Sequence, residues 1–481
     1  MNNPVITLAS LQSLWPDFMV LLGAFLALAI DIPLRSDRGK NVVALVSVAA
    51  LATAGALLLA QNPATVSAFP GMLVTGKSVA VAKLLLLLVG IFTIALSRGP
   101  AQALGLAQAE YYALLLFAVF AMMVFSSCSN LMAAFVALET FSLAMYVLAG
   151  FNRKSRPNRE AALKYFLMGA FAAGFFLFGI ALYYGATGSV TLETLPALLK
   201  ELAADSPRRK LVFASLALLL VGLGFKVGLA PFHLWAPDTY EGAPTPVTAF
   251  LSAGAKVAGF AMLIQLAAYF PFGSPAALSL LSVLAVLTMT LANLGALRQQ
   301  GIKRLLAYSS VAHSGYALVA LAGGAPSAPA AVMNYVLVYA VMNFAAFALL
   351  LMLEKGRAET VTFKEIQGLG FDRPLFGFCL AVTMFAMAGI PPTAGFIAKL
   401  GVFKAAMEGG QSTLLVLAVL NSVVSAAYYL RVLVALYMAP KEDSQGAPMF
   451  GGLSAVIAGL CVALILIWGL LPGPLLKITN F

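Results

Sequence analysis

Apolar runs of about twenty residues, separated by short polar breaks, recur along the whole chain. A helix needs about 20 apolar residues to cross the hydrocarbon core of a bilayer. About fourteen stretches meet that need: 15–34, 41–60, 77–97, 111–127, 129–150, 161–185, 211–231, 245–270, 276–296, 303–323, 330–353, 374–397, 412–437 and 452–472. The pattern predicts an all-α polytopic membrane protein. Only Ser126-Ser127-Cys128-Ser129-Asn130 separates the fourth stretch from the fifth. The seventh and twelfth are interrupted, by Gly228-Leu229-Ala230-Pro231 and by Gly389-Ile390-Pro391-Pro392.

The two interruptions suggest an internal repeat. Spans four to eight form one unit and spans nine to thirteen a second, each with a broken helix. Five spans is an odd number, so the units must have opposite topology. Gly/Pro-broken spans at matching places in two halves point to the transport site of an inverted-repeat fold. The expected division is an N-terminal three-helix segment (1–110), a first repeat (111–270), a second, inverted repeat (271–440) and a C-terminal span (441–481).

Composition agrees with the pattern. Of 481 residues 62% are hydrophobic and 10% charged, against about 25% charged in soluble domains. The net charge of +11 could suggest nucleic acid, but the basic residues sit mostly in short loops between apolar runs. Loops after odd-numbered spans hold sixteen Lys and Arg, among them Arg35, Arg153, Lys154, Arg298, Lys355, Arg357 and Lys441; the opposite side holds seven. That asymmetry predicts cytoplasmic odd loops, with both termini outside. Arg208-Arg209-Lys210 runs against it, although Glu193, Glu201 and Asp205 share its loop. The first residues carry no basic stretch before the first apolar run, so that run reads as a retained span. Cys128, Cys379 and Cys461 lie far apart, and His233 and His313 are the only histidines. No iron–sulfur, c-haem or zinc spacing can be built from them, and no nucleotide-binding glycine motif follows a strand.

The chemistry must come from ionisable groups inside the spans, which are expensive in lipid and mark charge pathways. Lys226 lies in VGLGFKVGLAPF, beside the first break. Removal from water penalises an ammonium, which makes proton loss feasible at physiological pH. Glu139, in FVALETFSLAMY, is the only acid well inside a span. Alone it would tend to be protonated; beside Lys226 it could stay ionised and hold that lysine's proton. At about 4 Å and an effective dielectric near 20 the attraction is about 4 kcal/mol. Lys256, between SAGA and VAGF, reads as the central relay, since small residues leave room for a cavity. His313 lies among Ser309, Ser310 and Ser314, a setting that suits a proton shuttle. Lys399 follows the second break and reads as the counterpart of Lys226 and the outer terminal site. Each has a structural alternative: a static ion pair for Glu139 and Lys226, a carbonyl-bound lysine for Lys256, a serine-bonded histidine for His313, an end-of-span anchor for Lys399. His233, Asp238 and Glu241 read mainly as loop or capping residues. Lys83, Lys164 and Arg431 read as snorkelling cations near span ends.

The motif PFHLWAPDTYEGAPTPVTAFLSAGAKVAGF resembles the subunit N family of bacterial NADH–quinone oxidoreductase (respiratory complex I), one of its antiporter-like membrane subunits. NREAALKYFLMGAFAAGFFLFGIALYYGATGS, IKRLLAYSSVAHSGY and AGIPPTAGFIAKL are similar to that family too. The likeness runs through most of spans four to thirteen. The broken-helix core is shared with sodium/proton antiporter subunits; Tyr240-Glu241-Gly242-Ala243-Pro244-Thr245-Pro246-Val247-Thr248 is more specific to the N type. The resemblance implies proton translocation in the bacterial inner membrane, with Glu139 as the fifth-span glutamate and Lys226, Lys256 and Lys399 as the seventh-, eighth- and twelfth-span lysines. His313 matches the tenth-span histidine. It also implies no cofactor in this chain, with NADH, FMN, iron–sulfur clusters and quinone in other subunits. Its partners would be lipids and the other membrane subunits of complex I, including neighbouring antiporter-like ones. Two positions depart from the family pattern: Ala255 replaces a serine before the lysine, and Asn158 a serine that begins span six. Asn can still cap that helix, whereas Ala255 removes a possible water ligand near Lys256. The rival readings are a cation/proton antiporter subunit, and a structural subunit whose buried charges are inert.

Overall fold

A computed structural model describes residues 8–32, 37–61, 69, 71–98, 108–203, 206–270, 275–354, 361–440 and 452–479. Of the loop charges behind the predicted orientation, Arg35, Lys355, Arg357, Lys441 and Asp205 lie outside the described residues.

The described chain is helical throughout. A short α1 (Leu8–Ser13) leads into α2 (Trp15–Asp31), α3 (Asp37–Ala60), α4 (Lys77–Ser97), α5 (Ala109–Phe125) and α6 (Leu131–Ala149). Then come α7 (Arg156–Thr187), α8 (Leu195–Glu201), α9 (Pro207–Val227), α10 (Trp235–Gly242), α11 (Thr245–Tyr269), α12 (Pro275–Leu297), α13 (Ile302–Gly323) and α14 (Ala328–Leu353). The remainder is α15 (Leu369–Asp372), α16 (Pro374–Ala388), α17 (Ala394–Glu408), α18 (Ser412–Tyr437), α19 (Gly452–Leu470) and α20 (Pro472–Thr479).

Every expected apolar stretch coincides with a helix. Eleven described helices are long and apolar enough to cross a membrane, or twelve if the bent pair Lys364–Asp372 and Pro374–Ala388 is one span. The expected number was about fourteen. The difference has a plain source: α2 and α5 each run 17 residues, and the twelfth stretch is split into two 15-residue helices, α16 and α17.

Helix ends follow local chemistry. Asn130 opens α6 by accepting from the Met132 and Ala133 amides at 2.9 and 3.1 Å, as an N-cap asparagine should. Ser155, not Asn158, caps α7. Asn158 lies a turn inside and donates to the Gly242 carbonyl at 2.7 Å. The stretch WAPDTYEG is not a turn but the two-turn helix α10. Pro237 falls in its first turn, where a missing N–H is tolerated.

The core is three helices deep. α11 is enclosed by protein along its full apolar window, and α13 and α14 nearly so. α7 and α18 turn large apolar side chains outward, such as Phe171, Phe178, Leu420 and Val423. A helix buried on every side has no lipid face, so polar groups on α11, α13 and α14 are placed where only protein or water can meet them.

Candidate functional site

The two breaks are built alike. α9 ends at Gly228 (φ 77°) and α16 at Gly389 (φ 82°), both left-handed. In each, the amide two beyond the last helical residue folds back: Leu229 N–H to Gly224 O at 2.7 Å, and Ile390 N–H to Phe385 O at 3.0 Å. This closure favours glycine because other residues pay for positive φ. It still leaves carbonyls at the negative end of each half-helix.

A buried lysine occupies each of those ends. Lys256, on α11, donates to Val227 O at 3.2 Å, to Ser310 O at 2.5 Å and to the Ser314 hydroxyl. Lys399, on α17, donates to Ala388 O at 2.7 Å and to Ser422 Oγ at 2.9 Å. Val227 and Ala388 are the last helical residues before their glycines. In contact terms the counterpart of Lys399 is therefore Lys256, not Lys226. With three donors engaged, Lys256 does not depend on a hydroxyl at Ala255.

Between these two lysines lie several hydrogen-bonded groups of hydroxyls. Tyr339 donates to Ser310 Oγ at 2.8 Å and to Asn343 Oδ1 at 3.2 Å. His313 lies within hydrogen-bond reach of the Tyr335 phenol at 2.7 Å and the Tyr429 phenol at 3.1 Å. Tyr429 bonds to Ser309. Tyr428 donates to Asn293 Oδ1 at 3.0 Å, and Asn293 donates to the Tyr316 phenol at 3.4 Å. The Lys399 ammonium sits 4.9 Å from the Tyr316 ring centre. Every one of these groups is buried except Ser422, which is half-buried.

Lys226 and Glu139 are not a contact pair. Lys226, buried in the last turn of α9, lies 5.1–5.5 Å from the ring centres of Phe141, Tyr146, Tyr165 and Phe225 and donates to the Tyr146 hydroxyl at 3.4 Å. Glu139 is half-buried on α6, and its Oε1 is buried without a hydrogen-bond partner. Four aromatic faces surround Lys226, and Glu139 acts on it electrostatically without touching it.

Several other expectations need correction. Lys83 does not snorkel: it is buried and paired with Asp17 at 2.7 and 2.9 Å, tying α4 to α2. Asp238 and Glu241 are helical residues of α10 that bind Arg304 at 2.7 Å each, and Asp238 also binds Lys164 at 2.7 Å. Arg431 donates to the carbonyls of Leu297 and Gln299 at 3.1 and 3.0 Å. His233 is buried in the first break with Nδ1 unpartnered. Tyr335, Tyr339 and Asn343 were missed although their spacing of four puts them on one helix face. Among the described residues no group of three or more His, Cys, Asp or Glu could hold a metal ion.

Residues 128–425 match the family model described as "NADH:quinone oxidoreductase/Mrp antiporter, TM". NADH-quinone oxidoreductase subunit N of Trichlorobacter lovleyi is 41% identical over 88% of this chain and 86% of its own length. Subunit N of Chloroflexus aggregans is 37% identical over 100% of this chain and 98% of its own. Among solved structures, a chain of respiratory complex I from Thermus thermophilus with bound aureothin superposes with a TM-score of 0.80 at 35% identity, covering 96% of this chain and 98% of that one. A chain of the Mrp complex from Dietzia sp. superposes at 0.82 with 22% identity, over 98% and 96%, a likeness of fold alone.

Proposed function

The chain belongs to the NADH:quinone oxidoreductase/Mrp antiporter membrane family, and from that premise we propose that it translocates protons as subunit N of an NADH–quinone oxidoreductase. Its relatives are membrane subunits of that enzyme. In this reading α2, α5 and the pair α16–α17 also cross the bilayer, which makes fourteen spans. The helices from α5 to α11 and from α12 to α18 are the two inverted repeats, between an N-terminal segment (1–110) and a C-terminal span (441–481). Both termini face outward from the bacterial cytoplasmic membrane. NADH, FMN, iron–sulfur clusters and quinone are held by other subunits.

The observation that carries the reading is the polar line from Lys256 to Lys399, enclosed by α11, α13 and α14. Each lysine rests on carbonyls or hydroxyls, with no carboxylate within ion-pair distance among the described residues. Such partners hold an ammonium and also tolerate a neutral amine, so the group can take up and release a proton without leaving a bare counter-charge. Hydroxyls between them can each accept one proton and pass on another. Lys226 in its aromatic cage, biased by Glu139, is the element that senses redox events elsewhere. Moving one charge across 100 mV takes about 2.3 kcal/mol, well within the scale of a burial-controlled lysine.

The test is proton pumping by the reconstituted complex carrying Lys256→Met or Lys226→Ala. The reading expects fewer protons moved per NADH oxidised. An unchanged ratio in both variants rejects it.

A further inference from the structure

One carboxylate is drawn inward where α11 and α13 begin and α14 ends. Glu354, which closes α14, accepts from the Thr245 hydroxyl at 2.5 Å and stands 3.8 Å from the Lys303 ammonium. Its side chain is 14% exposed and that of Lys303 8%. Lys303 spends its close contact on the Ala243 carbonyl, at 2.7 Å.

Polar groups continue inward from there. The Thr248 hydroxyl reaches the Ala243 carbonyl at 3.4 Å and the Tyr240 carbonyl at 2.9 Å. The Tyr240 phenol interacts with the Ser310 side chain. Ser310 receives the Tyr339 phenol at 2.8 Å, and its carbonyl holds Lys256 at 2.5 Å. Thr245 and Lys256 stand eleven residues apart on α11, about 16 Å at 1.5 Å per residue. That is about half of a 30 Å hydrocarbon core. Glu354 therefore lies near one membrane edge and Lys256 near mid-depth.

A simple tie between helices would look different, and this chain contains one for comparison. Asp17 meets Lys83 at 2.7 and 2.9 Å with both oxygens engaged, at 3% and 7% exposure. Among the described residues Glu354 accepts a single hydrogen bond, from Thr245, and stands 3.8 Å from its cation with 14% of its side chain exposed.

We propose that Glu354 is the proton-loading carboxylate of Lys256, on the end that the loop charges predict to be cytoplasmic. The assignment rests on the proton-translocating reading above. Glu354 takes a proton from bulk water and becomes a carboxylic acid. Its O–H bond then breaks toward water, and the Tyr240 and Ser310 hydroxyls carry the proton inward, each giving up one proton as it gains another; water must join them to Glu354 and to Lys256, because the contacts at those two ends are to backbone carbonyls, which hand on no proton. The neutral amine of Lys256 gains an N–H bond and becomes an ammonium, and the carboxylate is restored.

The experiment compares variants of the assembled complex in proteoliposomes, reading protons moved per NADH oxidised together with recovery of intact complex. Glu354→Gln preserves an acceptor for Thr245 but cannot carry a proton. It is expected to lower the ratio by the same step as Lys256→Met. Thr245→Val deletes the hydrogen bond and leaves the carboxylate, and is expected to pump like the parent. The reverse order, with Thr245→Val impaired and Glu354→Gln normal, makes Glu354 a structural tie and overturns the proposal. If Glu354→Gln does not assemble, Glu354→Asp decides: retained pumping supports proton loading, and lost pumping in an intact complex overturns it. A normal Glu354→Gln beside an impaired Lys256→Met sinks this assignment alone. If both pump normally the assignment falls, and if Lys226→Ala pumps normally too, the translocation reading falls with it.

Discussion

The Lys399 ammonium rests on the carbonyl of Ala388, 2.7 Å away, at the buried C-terminal end of a half-helix. The glycine that follows fixes this contact. A Cβ on Gly389 would lie 2.6 Å from Lys399 Cδ, whereas one on Gly228 would meet nothing closer than Val311 Cγ2 at 3.7 Å. Both positions have positive φ, so alanine at either costs about 1–2 kcal/mol of backbone energy. Gly228→Ala should lower the thermal stability of the complex by that amount and leave pumping intact. Gly389→Ala should in addition displace the lysine and abolish pumping. Equal pumping by the two variants would count against a positioned Lys399.

The aromatic cage of Lys226 can be dissected at Tyr146. Tyr146→Phe deletes the 3.4 Å hydrogen bond and keeps the ring face; it should pump close to the parent level. Tyr146→Leu removes the face. A cation over a ring is worth about 0.5–2 kcal/mol, so coupled turnover should drop roughly 2- to 30-fold at about 1.4 kcal/mol per tenfold. If the two variants behave alike, the hydroxyl matters rather than the ring.

Asp17 and Lys83 make a prediction about assembly rather than transport. Removing one partner of a buried pair leaves an uncompensated charge and costs about 3–5 kcal/mol. Asp17→Leu or Lys83→Met should each sharply reduce recovery of intact complex. The double variant, apolar on both sides, should recover most of it. A double variant as poor as the singles would mean the pair does more than close the α2–α4 contact.

These residues also show where reading the sequence works and where it stops. Helix positions were legible because a bilayer sets one length scale, and α11, α13 and α14 fall within a few residues of their expected bounds. The number of crossings was less legible: a 17-residue helix such as α5 and a broken one such as α16–α17 satisfy an apolar window without satisfying a length test. Lys226, Lys256 and Lys399 stood out because a charge in apolar sequence is costly. Tyr335, Tyr339 and Tyr429 did not, because phenols are ordinary in membrane helices and only their neighbours reveal them as a chain. Asp17 was hidden by its place at the start of a span, where an acid reads as a helix end. The rings around Lys226 were beyond reach, since spacing places a residue on a face and does not say which helix that face meets.

Asn293 gives the sharpest kinetic prediction. It is buried on α12 and joins three helices, accepting from Tyr428 at 3.0 Å and donating to Tyr316 at 3.4 Å and to Asn421 Oδ1 at 3.1 Å. It thus spans the stretch of the polar line between His313 and Lys399. Asn293→Leu would interrupt that stretch and take one hydrogen-bond partner from each of two buried phenols, at about 0.5–1.5 kcal/mol for each bond. Tyr428→Phe would interrupt it with the packing preserved. Both should slow proton release on the Lys399 side while uptake on the Lys256 side in the first turnover stays unchanged. Stopped-flow records with pH indicators on each side of the vesicle membrane would separate the two events. A purely structural role for Asn293 predicts that Asn293→Leu lowers stability and that Tyr428→Phe leaves both phases at the parent rate. Slowing of release in Tyr428→Phe, with the complex fully assembled, is the outcome that ties this asparagine to proton movement.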